Sequence, residues 1–473
     1  MNIVYEDTNN KLNLFNRIQS DKMGYTRITM SPYFNRLDLQ NRQTILDDPP
    51  KNGTSMLGDS SETKNTIEFL YKSHPYNVYS SPKQFQGKYI IPVGVNRDPS
   101  FWGGMEKYGS KSVVNLPNTN WGHLFELINT EFLSDLRSKR AFLAIDSSLE
   151  GYHEDWVWDY FREGCIIWGI PIEQIVYITG NSIVEDDLDR WKLENNNKKN
   201  VNVIGYSHFE WDMGNNMKNL IFGGKTLPTW LDHYKYKKEN FDQIKTYNFL
   251  NRKPRGHRLW LYSLLDEYKM LDEGIISMNK PNGDFVRISS DHILDPNLVD
   301  ELSKTLPKKV NNKGNMDEDA LYYINRFNED INLNSFISII SEAQYDDEQK
   351  TVFLSEKTFK TIACSQPFII LGNKGSLKEL HKMGYKTFSS AFSEGYDQCE
   401  DIERLYCIVD LLKHIHYQPH KLKDFMFWTR HMVERNLEVL KFNTIFQPPA
   451  GFHMLLELLN EEICTKTLNK NII

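Results

Sequence analysis

The stretch TYNFLNRKPRGHRLWLYSLLDEYKM, residues 246–270, reads in three parts. TYNFLN is a short aromatic and apolar run of strand type, and RLWLYSLLDEYKM carries the apolar spacing of a helix. Between them stands a basic junction, in which Arg252, Lys253, Arg255, His257 and Arg258 crowd together. Strand, tight turn and helix are the repeating unit of a parallel α/β sheet. Pro254 predicts a helix beginning near that residue, because proline has no N–H to leave unpaired in a first turn. A helix N-terminus is already positive, so arginines packed there are unfavourable unless an anion binds. Free backbone N–H groups and forked guanidinium donors both suit the oxygens of a diphosphate. The other use of such a cluster is pairing with carboxylates on a solvated surface.

The same rhythm extends both ways. Towards the N-terminus, YIIPVGV (89–95), RAFLAID (140–146), QIVYITGN (174–181) and VNVIGYSHF (201–209) are short, β-branched apolar runs. Helical patterns such as WGHLFELINTEFLSDLR and HEDWVWDYFREGCIIWG separate them. Towards the C-terminus come GIISMN (274–279), SFISIISEA (335–343) and QPFIILGN (366–373), then mostly helical sequence. Continuous apolar strands alternating with helices predict parallel sheets covered on both faces. The fold expected is α/β, with two Rossmann-like domains facing a central cleft and a helical C-terminal region. The boundaries expected are an irregular arm leading into the first domain over 1–87, a first domain over 88–240, a second over 241–440, and a helical tail over 441–473. Residues 280–320 are polar and read as a looped or inserted region.

Composition narrows the classes. The chain has 473 residues, 40% hydrophobic and 25% charged, with a net charge of −7, so anion binding must be local. No run of eighteen apolar residues exists and the N-terminus is polar, which predicts no membrane span and no secretory signal. Cys165, Cys364, Cys399, Cys407 and Cys464 are odd in number, scattered and without zinc spacing. They read as reduced thiols of a cytoplasmic protein. No GxxxxGK[ST] and no GxGxxG after the first strand occurs, which argues against P-loop enzymes and dinucleotide oxidoreductases. DDLDR (186–190) reads as a solvated helix start, and HIHYQPH (414–420) lacks a carboxylate or cysteine to complete a zinc set, so no metal site is expected.

The most informative stretch is SEAQYDDEQKTVFLSEKTFKTIACSQPFIILGNKGSLKELHKMGYKTF, residues 341–388. A strand ends at Glu342, and SEK then opens a helix with Ser355 as N-cap and Phe359, Ile362 and Ala363 facing inward. Glu356 complements the dipole of that helix, whereas Lys357 makes more sense beside a bound anion. Glu342 is a candidate ligand-binding acid at a strand end, or alternatively a surface loop acid.

LNRKPRGHR followed by LSEKTFKTI and PFIILGNKGSLKEL resembles the donor-binding half of GT-B glycosyltransferases. SEKTF is similar to the SEK-type motif of fucosyltransferase-like families, and the arrangement looks like that of phage and other viral glycosyltransferase-like proteins. The resemblance spans about residues 245–390 and implies a UDP- or GDP-linked sugar as donor substrate, with no tightly bound cofactor. Arg252 or Arg255 together with Lys357 would hold the diphosphate, and Glu356 the ribose. The domain over 241–440 would then bind the donor and that over 88–240 the acceptor, in the cytoplasm, of the host if the protein is viral. Departure of a diphosphate builds negative charge, and Arg252, Arg255, Arg258, Lys357 and Lys360 offer fixed cations to meet it.

An inverting transferase also needs a group to take the acceptor proton. RAFLAIDSSLEGYH supplies Asp146, Glu150 and His153, with Glu150 the first choice as base and Asp146 alternatively a helix cap. YSHFEWD, with His208, Glu210 and Asp212, is the second set. Saccharide, modified base and protein side chain remain open as acceptors. Two other readings stand beside this one: a sugar-nucleotide epimerase of the same fold, and a non-catalytic carbohydrate-binding virion protein.

Overall fold

The computed structural model describes residues 2–4, 77–79, 87–94, 130–148, 151, 156–196, 200–222, 229–281, 288, 292–308, 329–345, 351–417, 419–446 and 452–459. The chain divides into two compact units. One comprises Met1–His208 together with Pro448–Ile473, and the other Phe209–Gln447.

The first unit is built on a parallel sheet of β1 (Asn2–Val4), β2 (Asn77–Tyr79), β3 (Tyr89–Gly94), β4 (Ala141–Ser147), β5 (Ile175–Thr179) and β6 (Asn202–Gly205), in the order β2-β1-β3-β4-β5-β6. Every residue of β4 and β5 is buried, as the uninterrupted apolar runs require. Helices α1 (Thr130–Arg137), α2 (Trp156–Trp168) and α3 (Val184–Glu194) alternate with these strands. Phe132, Leu136, Trp158, Phe161, Leu188 and Trp191 pack from them into a core with Ile145 and Tyr177. The first eighty residues, expected to be irregular, supply two strands, and β1 pairs in parallel with both β2 and β3.

Two helices, α4 (His208–Phe222) and α5 (Trp230–Glu239), lead into the second sheet. The strands are β7 (Lys245–Leu250), β8 (Gly274–Ser277), β9 (Ser335–Ser341) and β10 (Phe368–Leu371), all parallel, in the order β10-β9-β7-β8. Between and after them come α6 (Gly256–Glu267), α7 (Pro296–Thr305), α8 (Glu329–Leu333), α9 (Glu356–Ala363), α10 (Ser376–Lys382), α11 (Asp401–His416) and α12 (Pro419–Lys441). Asn248 locks the β7–β9 register, donating through its buried amide to Ser335 Oγ and Ser338 Oγ, each at 2.8 Å. The molecule is thus α/β with two parallel sheets, and among the described residues no helix is long and apolar enough to cross a membrane.

The helix after β7 begins at Gly256 rather than at Pro254. Arg255 N–H donates to Lys253 O at 3.0 Å, so Pro254 sits at the centre of a three-residue turn that its fixed φ suits. Residues 296–305, within the region expected to be looped, form α7, capped by Asp295 accepting from Asn297 N–H at 2.9 Å, with proline at the first position.

Candidate functional site

Strand order fixes where a ligand would sit in the second unit. The chain passes from β7 to β8 on one side, then returns to lay β9 on the other side of β7. The crevice of an open α/β sheet opens at such a reversal, beyond the carboxyl ends of the strands. The two segments leaving that point are Asn251–Arg255 after β7 and Glu342–Tyr345 after β9. These are the basic junction and the start of the SEK stretch.

The arginines of the junction play different parts. Arg258 is 4% exposed and makes four hydrogen bonds: Nε to Ser341 Oγ at 2.9 Å, Nη1 to Lys253 O at 3.0 Å, and Nη2 to Ser341 O at 3.0 Å and Glu342 O at 2.8 Å. With four of five donors engaged, it straps the β7 turn to the end of β9. Arg255 is the N-cap of α6 and makes no side-chain cap there; in that first turn Arg258 N–H donates back to Arg255 O at 3.0 Å, and Gly256 and His257 supply the remaining N-terminal N–H groups. Arg252 is exposed. Burial, then the Arg255 charge, push the Arg258 guanidinium down to about 9. Burial, followed by the charges of Arg258 and Arg255 with a smaller contribution from Arg404, drives His257 far below its ordinary value. The junction is therefore a focus of positive potential around a neutral imidazole.

Glu342 organises the other side. Its buried carboxylate accepts from Ser355 N–H at 3.0 Å and Thr358 Oγ1 at 2.6 Å, both through Oε1, which fixes the start of α9 to the end of β9. It is therefore a buried acid, 1% exposed, not a surface loop acid. Gly372 lets β10 end close by, since a Cβ there would stand 3.3 Å from Glu342 Cβ and 3.1 Å from Ser376 Oγ. Ser355 caps α9 as the sequence predicts, accepting from Lys357 N–H, with Phe359, Ile362 and Ala363 buried beneath. Lys357 Nζ lies 2.8 Å from Glu356 Oε1 and 3.2 Å from Ser355 Oγ, so the two SEK charges face each other. Burial pushes the Glu356 carboxyl up, but the Lys357 charge and the hydrogen bonds around it outweigh that and leave it below its ordinary value. Lys360 stands one turn further on, its ammonium lowered to about 8 by burial.

Three polar groups at these strand ends and in the first turn of α6 are buried and find no partner among the described residues: the side-chain amide of Asn251, Nε2 of His257 and Oε2 of Glu342. Each such group costs about 1–3 kcal/mol, so their presence together at the switch point calls for an explanation other than stability. Sequence reasoning missed Asn251 and His257 as site residues, although both lie within the quoted junction. It also missed Arg404 on α11, which donates to Gly372 O and, at 2.7 Å, to Cys399 O, with its guanidinium 5.2 Å from the Tyr345 ring. The His257 ring stacks on the other partner of this group, Tyr345, at 4.8 Å.

The candidate bases are distributed differently. Asp146 lies at the end of β4, 7% exposed, with Oδ1 accepting from Ser148 N–H at 2.8 Å in a local turn. Glu150 and His153 lie outside the described residues. His208 is held down to about 4 by burial. Glu210 is tied to Tyr385 OH at 2.5 Å and Asn443 Nδ2 at 2.9 Å. The Asp212 carboxyl is raised by burial, with Glu356 among the charges that act on it. Asp212 thus stands within electrostatic range of the SEK turn. DDLDR is helical, as expected, but not wholly solvated: Asp187 is 3% exposed, accepts from Trp158 Nε1 at 2.8 Å and pairs with Arg190.

Among known proteins, no family model matches the chain and no curated protein matches it.

Proposed function

We propose that the protein is a glycosyltransferase that moves a sugar from a UDP- or GDP-linked donor to an acceptor hydroxyl, and that the switch point of the second unit holds the donor diphosphate. The observation that carries this is the positive potential there: an uncapped helix N-terminus flanked by Arg252 and Arg255, with a third arginine strapped beneath. An anion with several oxygens suits that arrangement, since the N–H groups of a helix N-terminus and guanidinium forks are both good donors to phosphate oxygens. The open atoms of Asn251, His257 and Glu342 add neutral and acidic hydrogen-bonding groups of the kind a nucleotide sugar's hydroxyls use.

In this reaction the bond from the sugar anomeric carbon to the β-phosphate oxygen breaks and its electron pair leaves with the diphosphate. Arg252, Arg255 and the first turn of α6 stabilise the charge that develops. Lys357 joins them by exchanging its contact with Glu356 for one with phosphate, which frees Glu356 for the ribose. The acceptor oxygen bonds to the anomeric carbon and its proton passes to a base. Of the second set of bases, His208 is held down to about 4 by burial, and Glu210 is tied to Tyr385 and Asn443, which leaves Asp212, whose carboxylate accepts from Asn216 at 3.3 Å. Its raised affinity for a proton suits that task. In this reading Arg258 supports the site rather than the ligand, because four of its five donors are used within the fold. The GT-B assignment draws on two parallel α/β sheets and on the grouping of residues 448–473 with the first unit, where Lys88 Nζ reaches Leu458 O at 3.5 Å.

The test is incubation with a panel of UDP- and GDP-hexoses in the presence of a chelator and without acceptor. Slow release of one nucleoside diphosphate is expected, and Arg255→Ala should abolish it while leaving the melting temperature nearly unchanged. Release from no member of the panel, or release unaffected by Arg255→Ala, contradicts the reading.

A further inference from the structure

A second cluster in the same unit is unrelated to the phosphate chemistry. The Sγ atoms of Cys399 and Cys407 lie 3.5 Å apart. A carboxylate oxygen of Glu403 completes a set of three ligand atoms, all within 4.8 Å of one another. Cys407 and Glu403 are on α11, and Cys399 lies just before its N-cap, Glu400. The positions 399, 403, 407, 410 and 414 are separated by four, four, three and four residues, which puts them on one side of the helix. All five carry metal-binding side chains, the last two being Asp410 and His414. Cys399, Cys407, Asp410 and His414 line a cavity of about 610 Å³ together with Tyr396 and Trp428. His414 belongs to the histidine-rich stretch that its sequence neighbours left without a completing ligand.

The separation of the sulfurs discriminates between uses. A disulfide needs them about 2.05 Å apart. Two thiolates on one tetrahedral zinc, each at about 2.3 Å, stand about 3.8 Å apart. The observed 3.5 Å, at which the two thiols hydrogen-bond to each other while protonated, is far from the first value and within a few tenths of an ångström of the second. Both thiols are partly exposed, unlike the buried Cys165 and Cys364, so an ion can reach them from the cavity. Glu403 is exposed and free to swing the short distance that coordination needs.

We infer that Cys399, Glu403 and Cys407 form a binding site for a soft divalent cation of the zinc class, with the cavity beside it giving room for a fourth ligand. Soft thiolates select such ions over magnesium or calcium. The carbonyl of Cys399 also receives Arg404, which holds Gly372 O at the end of β10, so an ion fixed on Cys399 stiffens the same turn that ends the strand.

The experiment is anaerobic titration of the reduced full-length chain with Co²⁺, followed by displacement with Zn²⁺. One equivalent of Co²⁺ should give a thiolate charge-transfer band and the intense visible bands of tetrahedral cobalt, and Zn²⁺ should bleach both. Cys399→Ser and Cys407→Ser should each abolish the charge-transfer band, whereas Cys165→Ala should leave it. Glu403→Gln should weaken binding about tenfold, the equivalent of about 1.4 kcal/mol. Should a serine variant fail to fold, protection of two thiols of the wild-type chain from a thiol reagent by one equivalent of Zn²⁺ reads the same site. No band at one equivalent, a band that survives both serine substitutions, or no protection of thiols overturns the assignment. So does isolation of the pair as a disulfide whose reduced form takes up no metal.

Discussion

Arg258 and Arg255 lie three residues apart, yet the structure assigns them opposite consequences on removal. Arg258→Ala deletes four hydrogen bonds and leaves Ser341 O, Ser341 Oγ, Glu342 O and Lys253 O without their charged donor at a site 4% exposed. Bonds to a charged group contribute about 1.5–3 kcal/mol each, but they share one guanidinium and do not add. Breaking a buried charged arrangement by removing one partner costs about 3–5 kcal/mol. For a unit of this size each kcal/mol is worth about 2–4 °C, so the melting temperature should fall by roughly 6–20 °C. Arg255 is only partly buried, so Arg255→Ala should shift stability by about 1 kcal/mol, well short of the loss in Arg258→Ala. Calorimetric scanning of wild type and both variants, with UDP and GDP binding measured on the same samples well below the transition, separates the two roles. Arg258→Ala should lose stability, and Arg255→Ala should lose nucleotide affinity. Equal melting temperatures for wild type and Arg258→Ala, or a collapse in Arg255→Ala, would refute the division.

Acid should weaken the second unit through His233, which is 2% exposed with neither ring nitrogen partnered among the described residues and is held down to about 3, chiefly by burial. A depressed folded-state value means that the unfolded chain takes up the proton first, so the contribution is whole above about 6.5 and is lost as pH falls towards 3. Between pH 6.5 and 5 it amounts to about 2 kcal/mol, and urea unfolding of His233→Gln should show a correspondingly flatter pH dependence. Glu342→Ala leaves Ser355 N–H and Thr358 O–H without their acceptor and should cost about 2–4 kcal/mol by urea unfolding, with an unchanged midpoint contradicting its place at the start of α9. Gly274→Ala would drive a Cβ to 2.4 Å from the ring of the buried Tyr247 and should destabilise by about 1–3 kcal/mol in thermal melts, whereas Gly395→Ala, with 3.6 Å to Ser393 Oγ, should be neutral.

Much of the α/β pattern is legible because buried parallel strands are written as uninterrupted apolar runs. RAFLAID, QIVYIT, SFISIIS and PFIIL all become strands within a residue or two of where they read. Strands β1 and β2 are not legible, since NIV and NVY are too short to show any period and acquire strand form only by pairing with each other and with β3. Helix α7 was legible but overlooked: Asp295 followed by Pro296 is a start signal inside a polar stretch. At the site, a concentration of arginine at a helix start is visible in sequence because it conflicts with the helix dipole. The strap formed by Arg258 is not, since its acceptors are set by a strand 83 and 84 residues away. The same holds for Arg404 and for the thiol pair, whose separation of eight residues matches no linear zinc motif until α11 brings the two sulfurs together.

The central claim is that the β7–β9 switch point binds a nucleoside diphosphate through fixed cations. Calorimetric titration of UDP and of GDP into wild type, Arg255→Ala and Lys357→Ala, without added metal, tests it most directly. The account predicts that one nucleotide binds and that each substitution weakens it by more than about tenfold, or about 1.4 kcal/mol. Binding of neither nucleotide, or an affinity indifferent to both substitutions, would mean that the arginines of the junction serve the surface alone.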